Sequence, residues 1–198
     1  PEVEVELRGH ATLATAHVLF HELHSDLDEL RFQTRSGELV VKRDGERISM
    51  NFPATAVTEA AIDPSMAAAL GGRPMAAFDS PSNIYLYESE AEVRALAPDM
   101  VALMAATSTT TIVTAAGDEV DFVSRFFGPQ VGINEDPVTG SAHCALVPLW
   151  AARLGRNELS ATQVSKRRGD LECELRGDRV VMKGVGQTFL RGKITLQL

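Results

Sequence analysis

Two stretches of this sequence are apolar nearly all the way round a helix, which constrains the fold more than any other feature. From Ala11 to His24, Leu13, Ala16, Leu19, Phe20 and Leu23 form the main stripe, and Ala11, Ala14 and Val18 fill most of the remaining circumference. The second stretch, Ala142 to Leu154, is as apolar, with Gly155 as its C-terminal stop and Pro148 predicted to kink it. A helix without a broad polar face has to be covered on most sides. The rest of the chain is largely strand-like, so sheets are predicted to do the covering.

The two helices also start alike. Gly9-His10-Ala11 opens the first and Gly140-Ser141-Ala142 the second, a weak internal repeat. The predicted fold class is therefore α+β, with two pseudo-symmetric lobes. Each lobe is a mixed β-sheet or barrel wrapped round a central helix, and the first is incomplete. Gly71-Gly72 marks the boundary. Residues 1–72 are read as the remainder of the N-terminal lobe, 73–190 as the C-terminal lobe, and 191–198 as a final strand that could return to the first.

Alternation of Val3, Val5 and Leu7 with Glu2, Glu4 and Glu6 predicts an opening strand. Three strands are expected from Arg31 through Phe52, with hairpin turns at Ser36-Gly37 and Arg43-Asp44-Gly45-Glu46, ended by Pro53. Residues 54–72 carry weak helical signals. Strands are expected at Ile84–Tyr87, Thr107–Ala115 and Glu119–Phe127, and a helix from Ser89 to Leu96 with Pro98 beyond it. A turn-rich loop leads from Phe127 into the second apolar helix. Strands with turns at Arg168-Gly169 and Gly177-Asp178 follow, ending in Lys193–Leu198. Without an initiator Met before Pro1, material upstream is expected.

Nineteen basic and 27 acidic residues give a net charge of −8. That surface repels phosphate backbones and anionic lipid, so neither nucleic acid nor membrane is an expected partner. No apolar run is long enough for a membrane span and no signal peptide is evident, so a cytoplasmic location is expected. Cys144 and Cys173 form neither a CxxC pair nor a metal cluster and are read as free thiols. The spacing of His17, His21 and His24 suits a metal, but no carboxylate or thiol motif accompanies it, and an ordinary helix face is the better reading.

A helix N-terminus presents unpaired N–H groups and the positive end of the helix dipole, and glycine there allows close backbone approach. Two such ends facing one another would make a pocket for a small carboxylate. Proton transfer beside a carbonyl needs that stabilisation together with an acid and a base. His10 and Asp136 stand at or just before the two helix starts, and Ser141 could cap its helix or bind a ligand carboxylate. Taken singly, each has a plainer explanation. His10 would be a cap, Asp136-Pro137 a turn starter, and Thr139-Gly140-Ser141 a generic helix start. Their coincidence with a duplicated helix start favours a site.

At these residues the sequence resembles the PhzF-like family of phenazine-biosynthesis isomerases, which shares the diaminopimelate epimerase fold. Gly9-His10-Ala11-Thr12-Leu13-Ala14 is similar to the family's first helix start. Gly132-Ile133-Asn134-Glu135-Asp136-Pro137-Val138-Thr139-Gly140-Ser141-Ala142-His143 is similar to the second and is highly specific. Gln163-Val164-Ser165-Lys166-Arg167 resembles a family segment near the site, and the similarity covers essentially the whole chain. The resemblance implies cofactor-free isomerisation, without a metal, by proton transfer on a small carboxylate-bearing metabolite held between two lobes. It implies His10, Asp136 and Ser141 as catalytic and Arg8, Gly9, Thr139, Gly140 and Ala142 as substrate-binding, and it makes a homodimer plausible.

Three departures stand out. The family's principal acid/base, a glutamate, is expected upstream of Pro1. Arg8 stands where many relatives have a cysteine; it stays protonated and cannot be a base, although it could bind a carboxylate. Arg168 stands where relatives often have glycine, and Lys166-Arg167-Arg168 reads as a solvated turn in preference to a ligand-facing loop. Two other functions stay open: a non-catalytic small-anion-binding protein on the same fold, and a structural dimer module.

Overall fold

The computed structural model of the chain describes residues 9–24, 26–34 and 37–193. The expected opening strand, Arg8, Ser36 and nearly all of the expected strand 193–198 lie outside the described residues; Lys193 itself is in neither strand nor helix.

The first apolar stretch forms α1 (Gly9–Val18) and then widens into a π-helical turn (Leu19–Leu23). Three antiparallel strands follow as expected, β1 (Glu29–Thr34), β2 (Gly37–Asp44) and β3 (Arg47–Pro53). In β3 the alternation of Ile48, Met50 and Phe52 buries every second side chain, the period of a half-buried strand.

The segment read as weakly helical divides into a short strand, β4 (Thr58–Ala60), and α2 (Pro64–Leu70). Asp63 caps α2, its carboxylate accepting the N–H groups of Ser65 and Met66, with Pro64 at the first helical position. Then come β5 (Ala76–Asp79), β6 (Asn83–Leu86), α3 (Glu90–Ala95), α4 (Met100–Ala106), β7 (Thr111–Ala116) and β8 (Phe122–Gly128). Ser89 caps α3, and Asp99 caps α4. β5 and α4 were not expected from the sequence. Nor was β9 (Ile133–Asp136), which follows a 3₁₀ turn (Pro129–Val131) within the segment read as loop. The chain closes with α5 (Gly140–Leu154), β10 (Glu158–Gln163), β11 (Gly169–Arg176) and β12 (Arg179–Gly184). α5 runs as one helix through Pro148.

Among the described residues the strands form one 12-stranded mixed sheet in the order β1-β2-β3-β12-β11-β10-β8-β7-β6-β5-β4, with β9 added on β8. β8 with β10 and β6 with β7 are parallel; the other pairs are antiparallel. Two cores lie against this sheet. The larger gathers Ala16 of α1, Phe20 of the π turn, the buried residues of β2 and β3, and Leu146 and Trp150 of α5. It runs without a break across residues 72 and 73. The pairing of β3 with β12 crosses the same boundary. The smaller core gathers α2, α3 and α4 against Val113, Val123 and Phe127. Alternation along β8 sorts its residues: Phe122 and Phe126 face the larger core, Val123 and Phe127 the smaller.

α5 is covered as expected: Ala142 through Val147, Trp150 and Ala151 are buried. The Trp150 ring stacks on Phe122 with centroids 5.7 Å apart, and its Nε1 donates to Thr114 Oγ1 at 3.0 Å. α1 corrects the expectation. Only Gly9 and Ala16 are buried within it, with Phe20 in the π turn; Ala11, Ala14, Val18 and Leu23 are exposed. Its apolar residues exceed what the described strands cover. Among the described residues no helix is long and apolar enough to cross a membrane.

Candidate active site

The starts of α1 and α5 meet. A Cβ built on Gly9 would lie 3.1 Å from Gly140 Cα, and one built on Gly140 would lie 3.2 Å from Gly9 Cα. Both glycines thus stand in tight backbone-to-backbone contact, a reason for glycine distinct from the ligand approach expected of them. Beside this contact lies a cavity of 660 Å³ lined by Gly9, His10, Val138, Gly140, Arg168 and Asp170, among others. Its charged lining is Arg47, Arg168, Lys183, Asp170 and Glu172; Arg47 pairs with Glu172, Arg168 with Asp170 and Lys183 with Asp44, so each cation has a carboxylate partner. Gly9 and Gly140, the first residues of α1 and α5, both stand on its wall.

The predicted site residues are distributed unequally around this point. His10 is exposed and lines the cavity with Gly9 and Gly140. Asp136 ends β9 and is half-buried, and Thr139 and Ala142 are buried. Ser141 is exposed but lines a different cavity, of 340 Å³, with Thr55, Ser80, Ser82, Thr110 and Cys144. It does not cap α5. Thr139 occupies the cap position and makes no capping bond, because its hydroxyl is turned to Asp136. Arg8 lies outside the described residues.

The loop before α5 is held from several sides. Gln163 Oε1 accepts the Thr139 N–H at 2.8 Å, and Gln163 Nε2 donates to the Asp136 carbonyl at 2.6 Å and to Thr139 Oγ1 at 3.2 Å. Ser165 Oγ donates to the Pro137 carbonyl at 2.7 Å. Arg125 meets both carboxylate oxygens of Glu135, at 2.8 and 3.0 Å, and its Nη1 donates to the Val93 and Leu96 carbonyls. Of these supports, only the segment from Gln163 was singled out from the sequence. Arg125 and Glu135 are ten residues apart and become neighbours only through the pairing of β8 with β9.

His143 lies beneath the loop. It is fully buried, its Nδ1 sits 2.8 Å from the Thr139 carbonyl, and among the described residues its Nε2 has no hydrogen-bond partner. A carbonyl only accepts, so Nδ1 carries the hydrogen, and burial pushes the imidazole pKa down, which keeps it neutral. Cys144 and Cys173 are free and buried, and burial pushes both thiols up to about 12. A thiol so held is not a thiolate nucleophile or base near neutral pH.

Arg168, read as part of a solvated turn, lines the cavity. It pairs with Asp170 at 3.0 Å and is the non-glycine with positive φ, +48°, among the described residues. Lys166 and Arg167 are exposed, as expected of a turn. The His17 and His21 rings lie 4.7 Å apart, with His17 Nε2 3.1 Å from Thr188 Oγ1. Among the described residues no three His, Cys, Asp or Glu side chains form a metal-binding group.

The family model for phenazine biosynthesis-like proteins (PhzC-PhzF) matches residues 1–193. The chain belongs to this family. Two uncharacterized isomerases of Pseudomonas aeruginosa are 46% and 47% identical to it; each alignment takes in 99% of this chain and 76% of the relative. A mouse phenazine biosynthesis-like domain-containing protein is 35% identical, over 98% of this chain and 75% of its own length. The crystal structure of a PhzF-family protein of Enterococcus faecalis superposes with a TM-score of 0.94 at 42% identity, covering 99% of this chain and 76% of that one. A PhzC/PhzF protein of Clostridium difficile gives 0.91 at 38% identity, with the same coverage. The mixed sheet with few helices described above is thus the PhzF arrangement, and the long motif that carried the resemblance, Gly132–His143, builds β9 and the start of α5.

Proposed function

We propose that this chain is an isomerase of the PhzF type that moves a proton, without a cofactor, on a small metabolite bearing a carboxylate. The single observation that carries the proposal is the meeting of two helix N-termini at Gly9 and Gly140 on the wall of a cavity that Arg47, Arg168 and Lys183 also line. The naming of the bacterial relatives as isomerases supports the reaction class. In this reading the amides at Gly9 and Gly140, followed by Ala142, hold the substrate carboxylate and the charge that develops beside it, while Thr139, whose N–H and hydroxyl are given to Gln163 and Asp136, is not one of its donors. His10 and Asp136 serve as the acid and base, Ser141 contributes a hydroxyl, and Arg8 adds a cation. The two-lobed description, divided near residue 72, and a homodimer belong to the same proposal.

The test is exchange of carbon-bound hydrogen in D2O, with a mixture of small carboxylic acids as the probe and mass spectrometry as the readout. Asp136→Asn and His10→Ala are each expected to slow exchange by roughly 100-fold or more, the usual contribution of a positioned acid or base. Unchanged exchange in both variants means that these residues have been given the wrong roles.

A second reading, a small-anion-binding protein without catalysis, is favoured by one observation: His10, Asp136 and Ser141 do not share one cavity wall. Carboxylates that raise the melting temperature of the protein without undergoing exchange would support it, since a ligand stabilises by mass action.

A further inference from the structure

We propose that Gln163 is a positioning residue that sets the orientation of the Asp136 carboxylate through Thr139. The inference rests on the role proposed above for Asp136. Its physical basis is the direction of the hydrogen bonds. The Thr139 backbone N–H only donates, so the Gln163 atom 2.8 Å from it is the amide oxygen. The Gln163 NH2 group therefore faces the other way, with its two hydrogens on the Asp136 carbonyl at 2.6 Å and on Thr139 Oγ1 at 3.2 Å. Thr139 Oγ1 already accepts a hydrogen from Gln163, and its own hydrogen goes to Asp136 Oδ2. The donors run one way, from Gln163 through Thr139 to Asp136.

This arrangement assigns the two carboxylate oxygens different tasks. Oδ2 is occupied by the Thr139 hydroxyl, and among the described residues Oδ1 has no hydrogen-bond partner. Oδ1 is the oxygen left to exchange a proton with a substrate. Gln163 is fully buried at the end of β10, a position where an amide is retained only if its hydrogen bonds are made. It bonds main chain on both sides of the Pro137-Val138 dipeptide, so one side chain fixes both the loop and the hydroxyl that aims the carboxylate. Thr139, expected to bind substrate, acts here on Asp136.

The experiment uses Gln163→Met, Thr139→Val and Thr139→Ser in the protein, with hydrogen exchange on the small carboxylic acid mixture in D2O. On the component that exchanges, Gln163→Met and Thr139→Val are each expected to lower kcat by roughly 10- to 100-fold with little change in KM, as misplacement of a reacting group does. Thr139→Ser, which keeps the hydroxyl, is expected to restore the rate. The double variant Gln163→Met/Thr139→Val is expected to be no slower than either single one, because both cut the same chain of donors. If Asp136→Asn stops exchange but Gln163→Met does not, the positioning role is overturned and the proposed function stands. If wild type exchanges nothing, the proposed function fails, and a crystal structure of Gln163→Met decides the inference without a substrate. A displaced Asp136 carboxylate supports it; a carboxylate unmoved against Thr139 Oγ1 overturns it.

Discussion

The starts of α1 and α5 read almost alike in sequence and touch in space, yet they are held in very different ways. α5 is buried along most of its length and enters through a loop fixed by Gln163, Ser165 and the Arg125–Glu135 pair. α1 carries an equally apolar sequence, but most of its side chains are exposed, and it relaxes into a π turn after Val18. Apolar circumference reports that a helix is meant to be covered. The supports of its start come from elsewhere in the chain, and those decide how rigidly a site is built there.

The same substitution in the two helices should separate them most. Leu146 is fully buried in α5, and Leu146→Ala is expected to cost about 3–5 kcal/mol through lost burial and the cavity left behind. Leu23, 64% exposed in the π turn, should lose less than about 0.5 kcal/mol on Leu23→Ala. Urea titration of both variants measures the contrast. Equal losses would mean that α1 is covered as thoroughly as α5.

The next effect lies at the point of contact. Gly140→Ala would bring a methyl 3.2 Å from Gly9 Cα, where only backbone can yield. Overpacking of that kind costs about 1–3 kcal/mol, against a gain in helix propensity of about 1 kcal/mol for alanine over glycine. A net loss of about 1–2 kcal/mol is expected in the same titration, and it would appear with no ligand present. A gain in stability would show that the two starts are not pressed together.

How much of this was legible in the sequence follows from the range of the interactions. Period-two alternation and Gly45 gave the β2–β3 hairpin, and the Gly132–His143 motif marked the loop before α5, because both are local. α4 was missed because Met100–Ala106 is only seven residues and its cap, Asp99, follows a proline that read as a stop. The contact of Gly9 with Gly140 spans most of the chain. Helix starts in sequence suggest such a meeting but do not say that the two backbones will pack against each other there. Of the two roles open to Ser141, a cap or a ligand contact, the cap falls away because the cap position lies two residues earlier, at Thr139.

A third prediction compares His143, beneath the loop of α5, with the exposed His10 of α1. Burial lowers the folded-state pKa of His143 below the usual value, so in acid the unfolded chain binds a proton that the folded chain refuses. Stability is therefore full above pH about 6.5 and falls below it, by up to about 1.4 kcal/mol per pH unit. Melting temperatures taken from pH 7.5 to 5 should fall for wild type and flatten for His143→Leu. A His10→Ala control should follow wild type. Parallel curves for wild type and His143→Leu would show that the buried imidazole is not what resists the proton.

The smallest effect is expected where the cavity wall carries strain. Arg168 holds φ at +48°, a left-handed conformation that costs an ordinary residue about 1–2 kcal/mol, and glycine adopts it freely. Its pair with Asp170 is exposed on both sides and offsets little of that cost, since such pairs contribute about 0–1 kcal/mol. Glycine also loses more chain entropy on folding, which takes back part of the gain. Arg168→Gly is therefore expected to stabilise the protein by about 0.5–1 kcal/mol, read as a higher urea midpoint with an unchanged slope. If the same variant also weakens stabilisation by added carboxylates, the strain at Arg168 serves the cavity, and the turn is part of the site. If stability rises and carboxylate binding does not change, Arg168 is a surface residue in a costly conformation, and anion recognition rests on the two helix starts alone.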